Sequence, residues 1–209
     1  ESSRLEAVND GTIQLGSLKN VTGVYIPLDG KGTLNTGTIT HLIESRVDAS
    51  NKTDDFLSLD TATSSSFTFN EVDVDFTGLT KADSASFTVI GQQLEFKKLS
   101  NVDGADIFVS GSGSLNLPAV EHVTNIGDTT WQADGVDSQL LFPNLTNLNT
   151  GNAIDQDIYI RALGGGTIDL SQVPQITDTV TGDTRHRSVR IRAEGQDSVV
   201  RLDSLVTLE

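Results

Sequence analysis

Cysteine and methionine are both absent from this 209-residue chain, and aromatic residues make up only 5% of it. Without cysteine, the chain can form neither disulfide bonds nor thiolate metal sites. Basic residues are scarce too: 14 lysines and arginines stand against 29 aspartates and glutamates, a formal net charge of −15 at pH 7. Because nucleic acids and anionic lipids are bound by clustered lysine and arginine, this composition argues against both as general partners.

Long hydrophobic runs are missing as well. No stretch approaches the roughly 20 apolar residues of a membrane-spanning helix, so we predict no membrane span, and no signal-peptide pattern is visible. The chain does not begin with methionine. We therefore expect residues 1–209 to be a single domain taken from a longer secreted or cell-surface protein.

What the sequence does contain is an apolar pattern that recurs nine times. Its clearest copy is Leu115, Leu117, Val120 and Val123, in which the first pair has the alternation of a short strand. The other copies begin at Ile13, Leu34, Leu57, Val74, Leu94, Leu140, Ile168 and Val200. In the third copy, Leu57 and Leu59 take the two inward positions of the strand. Successive copies begin 17 to 32 residues apart, and a unit of about this length that recurs along the chain predicts a stacked repeat architecture.

A second apolar alternation precedes most copies, as in Phe87-Thr88-Val89 and Ile158-Tyr159-Ile160. Alternation with a period of two predicts a strand with one buried face. Small residues such as Gly111-Ser112-Gly113 separate the two strands and suit tight corners. No segment combines a helical apolar period with capping signals. The chain is therefore predicted to be all-β and to coil into a parallel β-helix of about nine rungs.

The repeats resemble the right-handed parallel β-helices of the pectin-lyase-like superfamily and the β-helical segments of large secreted bacterial surface proteins. The resemblance covers roughly residues 5 to 208 and rests on the periodicity and the small-residue corners. It implies a single-stranded right-handed parallel β-helix (β-solenoid) and functions that range from polysaccharide cleavage to adhesion and carbohydrate binding. A leucine-rich repeat or receptor L domain is an alternative, favoured by Leu145-Thr146-Asn147-Leu148. The positions that an asparagine ladder would occupy are apolar here, Val120 among them, which favours the β-helix.

The outward face of the strand that precedes each copy is the first candidate site. Aligning Trp131 with Val109 and Ile160 makes Trp131 a core residue. The same alignment predicts one outward column of Thr88, Phe108, Thr130, Tyr159 and Arg190. The next outward column is predicted to be Ile90, Ser110, Gln132, Arg161 and Arg192. Aromatic rings and guanidinium groups in register can stack on sugar rings and bind their hydroxyls or carboxylates. The alternative is an ordinary exposed sheet face.

The loops before this strand lengthen toward the C terminus, and the longest contains a basic cluster. Arg185, His186 and Arg187 lie in it, close to Arg190 and Arg192 in sequence. Long loops on a rigid scaffold are frequent binding sites, so this cluster is a second candidate site for an anionic sugar. The alternative is that it pairs with the next rung, or a neighbouring domain, of a longer parent protein.

A metal site is the third candidate. Glu71, Asp73 and Asp75 alternate with apolar residues, so their carboxylates share one face of a strand. Calcium prefers several oxygen ligands at once, which makes Ca²⁺ the cofactor to consider. The alternative is a solvated acidic edge that discourages aggregation.

No catalytic constellation emerges from the sequence. Asp169 and Arg201 occupy equivalent outward positions on adjacent rungs, which is typical of a surface ion pair. A glycoside hydrolase would need two carboxylates at a defined separation. We therefore expect a non-catalytic module that acts in adhesion, in binding a polysaccharide or surface glycan, or as a rigid spacer. A polysaccharide lyase or glycoside hydrolase is the alternative.

Overall fold

A computed structural model describes residues 3–50, 56–72, 76–178 and 180–209. Throughout these ranges the regular structure is β-strand, and each paired strand runs parallel to its neighbour. The described residues contain no helix with the length and hydropathy needed to cross a bilayer.

Most strands are short. In chain order they are β1 (Ser3–Arg4), β2 (Thr12–Gln14), β3 (Asn20–Thr22), β4 (Val24–Leu28), β5 (Thr33–Asn35), β6 (His41–Ile43), β7 (Arg46–Ala49), β8 (Thr61–Thr63), β9 (Ser66–Asn70), β10 (Ser86–Ile90), β11 (Gln93–Glu95), β12 (Asp106–Ser110), β13 (Ser114–Asn116), β14 (His122–Thr124), β15 (Thr129–Asp134), β16 (Gln139–Leu141), β17 (Asn147–Asn149), β18 (Ile158–Leu163), β19 (Thr167–Asp169), β20 (Gln175–Thr177), β21 (Val189–Glu194), β22 (Val199–Arg201) and β23 (Thr207–Leu208).

Three series of parallel strands are visited in turn. The longest, sheet A, has nine strands in the order β1-β4-β7-β9-β10-β12-β15-β18-β21. The second series consists of β2-β5 and β11-β13-β16-β19-β22, and the third of β3-β6-β8 and β14-β17-β20-β23. After each visit to the third series the chain returns to sheet A one strand further along. This arrangement is compatible with a parallel β-solenoid, as the repeats predict.

A tight turn between the second and third series explains the apolar-x-x-apolar part of the repeat. In every copy the second apolar residue donates its backbone N–H to the carbonyl of the first, as Val120 does to Leu117 (3.3 Å) and Leu145 to Phe142 (3.3 Å). This is the hydrogen bond of a four-residue turn. The two side chains are buried in seven copies, with Thr36 in the first position of the second copy, and partly buried in the first and last copies. The two residues between them face solvent or lie partly exposed. The repeat therefore encodes a corner as well as a strand.

The predicted alignment of the third copy is wrong. Leu57 is 51% exposed, whereas Phe56 and Leu59 are fully buried. The amide of Leu59 donates to the carbonyl of Phe56 at 3.1 Å, which makes Leu57 the first of the two middle turn residues. Leu57 is exposed but apolar and lies two residues before Leu59, so the two leucines had the spacing of a strand with one buried face. With Phe56 in the column, the spacings from Thr36 to Phe56 to Phe76 both become 20 residues.

The register of sheet A also differs from the prediction. Ile107, not Val109, pairs with Trp131, and Trp131 pairs with Ile160. On β15 and β18 the inward-facing positions continue as far as Ala133 and Ala162, which are fully buried. Alanine is only weakly apolar, so aligning the repeats by their larger apolar residues ended these strands too early. It also shifted them by two residues relative to β12.

The core consists of stacked apolar side chains, and seven of the eight phenylalanines lie in it. Phe67 and Phe87 stack on adjacent strands with their ring centroids 5.2 Å apart. Phe76 and Phe96 also meet on adjacent rungs, as predicted, but at an interplanar angle of 60°. Trp131 is fully buried, confirming its assignment to the core, and its indole N–H donates to the Ala105 carbonyl at 3.1 Å.

Candidate functional site

The outward face of sheet A carries the predicted aromatic and basic side chains, and the predicted pairings among β15, β18 and β21 are confirmed, whereas their predicted alignment with β10 and β12 is not. One observed column runs Ser86, Asp106, Thr130, Tyr159, Arg190. The next runs Thr88, Phe108, Gln132, Arg161, Arg192. The predicted pairing of Phe108 with Thr130 is therefore wrong. Phe108 lies three strands from Arg192 in the second column, and Tyr159 lies beside Arg190 in the first.

Tyr159 lies on β18, beside the edge strand β21. The guanidinium carbon of Arg161, two residues along the same strand, is 4.8 Å from the centroid of its ring. That of Arg190, its partner on β21, is 5.1 Å from the same centroid. Both distances lie in the range of cation–π contacts. The structure thus brings together three of the predicted site residues and uses the tyrosine ring to hold two cations.

Asp157 anchors this arrangement from the loop just before β18. Its Oδ2 accepts a hydrogen bond from the Tyr159 hydroxyl at 2.9 Å and lies 3.4 Å from a guanidinium nitrogen of Arg190. Its Oδ1 accepts a hydrogen bond from Ser188 Oγ at 2.6 Å. The Asp157 side chain is only 6% exposed. Both carboxylate oxygens are therefore occupied, and Asp157 fixes the positions of Tyr159 and Arg190.

These contacts shift two pKa values in opposite directions. Burial raises the pKa of Asp157, but hydrogen bonds from Ser188 and Tyr159 and the charges of Arg190 and His186 outweigh it, so the pKa is lowered overall. The hydrogen bond to Asp157 raises the pKa of the Tyr159 hydroxyl, and burial adds to this. At neutral pH Asp157 is therefore ionised and Tyr159 protonated.

Three arginines remain available on this face. Arg161 forms no ion pair with any described residue. Arg190 is 61% exposed despite its contact with Asp157. Arg192 pairs with Glu194 at 2.5 Å, but both side chains are more than half exposed, so this pair is weak. The face therefore presents guanidinium groups in two adjacent columns.

The basic cluster of the long loop divides into exposed and buried members. Arg185 is exposed and pairs with Asp183 at 2.6 Å. His186 is exposed and has a backbone φ of 51°. Arg187 is buried: its guanidinium donates to Asp178 Oδ1 at 2.8 Å and to the Thr181 carbonyl at 2.9 Å. Arg187 thus holds the loop together, and Arg185 and His186 are the members that solvent can reach.

The same loop borders a shallow polar groove of about 300 Å³. Its lining is Thr124, Asn125, Ile126, Asn149, Gly151, Asn152, Gln156 and Thr181. The amide of the buried Asn125 donates to the carbonyls of Gln156 (3.0 Å) and Asp157 (3.2 Å). Asn125 therefore positions the segment that carries Asp157, so the groove and the arginine face share one support.

The remaining candidates from the sequence are the calcium site and the pair of Asp169 with Arg201. Asp73 and Asp75 lie outside the described residues, so the calcium site stays a prediction. Glu71 is exposed with a φ of 50°. Within the described ranges, no three histidine, aspartate or glutamate side chains converge on a common metal position. Asp169 pairs in register with Arg201, and their charged groups are 3.9 Å apart, which is the predicted surface ion pair.

Sequence reasoning missed the anchoring residues Asp157 and Ser188. Both precede a strand by one residue, where the alternating pattern carries no information. The Asp157-x-Tyr159 spacing was the available signal, since residues two apart in extended chain point to the same side.

No family model, no curated protein and no solved structure matches this chain.

Proposed function

We propose that this chain is a non-catalytic module of a secreted or cell-surface protein and that it binds an anionic polysaccharide or surface glycan. In this proposal the fold is a single right-handed parallel β-solenoid of about nine rungs, and neighbouring domains of the same protein pack against it. The ligand lies on the outward face of β18 and β21, against Arg161, Arg190 and Arg192. Binding there would give the module a role in adhesion.

The proposal rests on the position of the Arg161 guanidinium and on its lack of an acidic partner among the described residues. The guanidinium is held over Tyr159 at 4.8 Å and has no carboxylate partner among the described residues, although acidic residues outnumber basic ones by 29 to 14 in the chain. A guanidinium group can form two parallel hydrogen bonds to a carboxylate or sulfate. A positioned and unpaired arginine in an acidic protein is therefore a site for an external anion.

The geometry favours an anionic sugar over a neutral one. A neutral sugar ring would be recognised by stacking on an open aromatic face. The Tyr159 ring already has two guanidinium groups over it, so the groups offered to a ligand are cations. Charges more than about 8 Å away are largely screened at physiological salt. The local arginines, rather than the net charge of the chain, therefore determine that the bound ligand is negatively charged.

A polysaccharide lyase or glycoside hydrolase finds less support on this face. A tyrosine acting as a base needs a lowered pKa, whereas the hydrogen bond to Asp157 raises that of Tyr159. Asp157 is buried, with both oxygens engaged, so it is a positioning residue. No specific observation favours the leucine-rich-repeat alternative.

Isothermal titration calorimetry with polygalacturonate, a sulfated glycosaminoglycan and neutral dextran tests the proposal. We expect binding to at least one anionic polymer, no binding to dextran, and an affinity that falls as salt is raised from 50 to 300 mM, because the Debye length shortens from about 14 Å to about 6 Å. Arg161→Gln with Arg190→Gln should weaken binding at least about tenfold, because hydrogen bonds to charged groups contribute about 1.5–3 kcal/mol each.

Lys97→Gln with Lys98→Gln is the matched control, since it makes the same charge change at two exposed residues away from this face. Equal losses in the two double variants would overturn the site. Clear release of unsaturated products or new reducing ends from any of the polymers would overturn the non-catalytic assignment.

A further inference from the structure

The chain has only two tyrosines, Tyr25 and Tyr159, and both lie on the outward face of sheet A. They also share a column. In register from one end of the sheet to the other, that column reads Arg4, Tyr25, Arg46, Ser66, Ser86, Asp106, Thr130, Tyr159, Arg190. Each tyrosine therefore has an arginine as its direct neighbour on the following strand.

The surroundings of Tyr25 repeat those of Tyr159. The guanidinium carbons of Arg4 and Arg46 lie 5.0 and 5.4 Å from the centroid of its ring. Its hydroxyl is hydrogen-bonded to Asp48, which raises its pKa in addition to the larger effect of burial. Asp48 in turn pairs with Arg46 at 2.7 Å. Both clusters thus contain a tyrosine, two guanidinium groups over its ring, and an aspartate that links its hydroxyl to the arginine of the next strand.

The spacing of the two clusters follows from the sheet. Six strand-to-strand steps separate β4, which carries Tyr25, from β18, which carries Tyr159. At about 4.8 Å per step, the two rings lie about 29 Å apart along the sheet. The column between them contains the short side chains of Ser66, Ser86 and Thr130 and the carboxylate of Asp106, and the next column contains Thr68, Thr88, Phe108 and Gln132. Hydroxyl groups therefore line much of the path, and the Asp106 carboxylate within it accepts a hydrogen bond from the Thr130 backbone N–H at 2.7 Å.

We infer that the Arg4–Tyr25–Arg46 cluster is a second anion subsite and that one extended anionic polysaccharide chain crosses sheet A from one cluster to the other. This inference rests on the proposed function, because it assigns the same class of ligand to both clusters. The serine and threonine hydroxyls between them bond sugar hydroxyls along the way.

The N-terminal subsite is the weaker of the two. Arg4 pairs with Glu6 at 2.5 Å and Arg46 with Asp48, so an incoming carboxylate competes with a resident one for both arginines. Arg161 at the other cluster has no such competitor among the described residues. Binding therefore begins at the C-terminal cluster, and the N-terminal cluster adds to it as an intramolecular second contact.

Oligogalacturonates of two lengths distinguish binding at the C-terminal cluster alone from binding across both clusters. A trisaccharide is too short to span both clusters, whereas a dodecasaccharide can reach across. We expect wild-type protein to bind the dodecasaccharide at least about tenfold more tightly than the trisaccharide after correction for the number of overlapping sites, since a linked second contact raises the overall affinity. Arg4→Gln with Arg46→Gln should abolish this gain and leave trisaccharide affinity unchanged.

Both replaced side chains are about half exposed or more, and thermal unfolding of the variant checks that the fold is retained. Lys97→Gln with Lys98→Gln is again the charge-matched control and should keep the full length dependence. Trisaccharide binding without a length-dependent gain, or a gain that survives in the Arg4/Arg46 variant, would overturn the second subsite alone. Failure of the trisaccharide to bind wild-type protein would overturn the inference, whereas the proposed function is overturned only if neither anionic polymer binds in the calorimetric test.

Discussion

Arg185 and Arg187 are two residues apart in one loop, yet their side chains are 72% and 1% exposed. The sequence pattern assigned both to a basic binding cluster because residue type and spacing are all that it contains. Burial decides between them, since the Arg187 guanidinium donates to Asp178 and two backbone carbonyls and is enclosed where a ligand in solvent does not reach it. At this scale the same side chain is a binding group in one place and a loop clamp in another.

The replacement Arg187→Met should destabilise the protein by about 2–3 kcal/mol. Breaking a buried ion pair costs about 3–5 kcal/mol, and the value here is lower because Asp178 is one-third exposed and can be rehydrated. Arg185→Met removes an exposed pair and should cost less than about 1 kcal/mol. Urea unfolding of both variants measures the difference, and equal midpoints would contradict the clamp.

Titration of the Asp157 carboxyl tests the support of the arginine face. Because its pKa is lowered in the folded protein, its contribution to stability is present above the unfolded pKa of about 3.9 and is lost as pH falls through the folded value. Carbon-13 NMR of the carboxyl should give a midpoint below 3.8 in the wild type. Tyr159→Phe removes one donor and should raise that midpoint, whereas Tyr25→Phe should leave it unchanged. A midpoint that ignores Tyr159→Phe would rule out the hydrogen bond as a cause.

Strands and corners form the next scale, and here the sequence predicted much of the fold. The nine-fold repeat, the corners, the inward columns around Leu115 and the lengthening loops all follow from periodicity. Two errors share one cause: side-chain size is an imperfect indicator of burial. Ala133 is buried but small, so its strand appeared to end early, and Leu57 is exposed but large, so it appeared to be core. Local alternation cannot distinguish these cases, because the hydrogen bonds that set the register join residues about 20–30 positions apart.

Paired cysteines can measure the register directly, since the chain has no cysteine of its own. Phe108 and Gln132 are direct neighbours across β12 and β15, so their Cα atoms lie about 5 Å apart, within disulfide range. Phe108 and Thr130, paired by the sequence alignment, are offset by about 6.6 Å along the strand, which places them roughly 8 Å apart. Mild oxidation should close the 108/132 pair and not the 108/130 pair. The reverse result would restore the sequence-derived register.

At the scale of the whole molecule, a strongly acidic chain carries five of its eight arginines in two clusters on one face of its longest sheet. The C-terminal cluster was predicted, since Tyr159 and Arg190 shared a predicted column and do pair. The N-terminal cluster was not, because β4 and β7 were not recognised as strands, and the two-residue shift of β15, β18 and β21 against β12 hid the column that joins the two clusters. Once register is known, Tyr25 and Tyr159 fall in one column, and the two clusters define a path about 29 Å long. Stacked repeats favour such surfaces because each rung adds one residue to each column.

The central claim, that the outward face of sheet A binds an anionic glycan, is tested most directly by NMR of the arginine Nε–Hε groups during titration with oligogalacturonate. We predict saturable shifts for Arg161, Arg190 and Arg192, with Arg185 and Arg201 unmoved as internal references. Saturable shifts centred on Arg185, equal shifts at all five arginines, or no shift at Arg161 and Arg190 would contradict it.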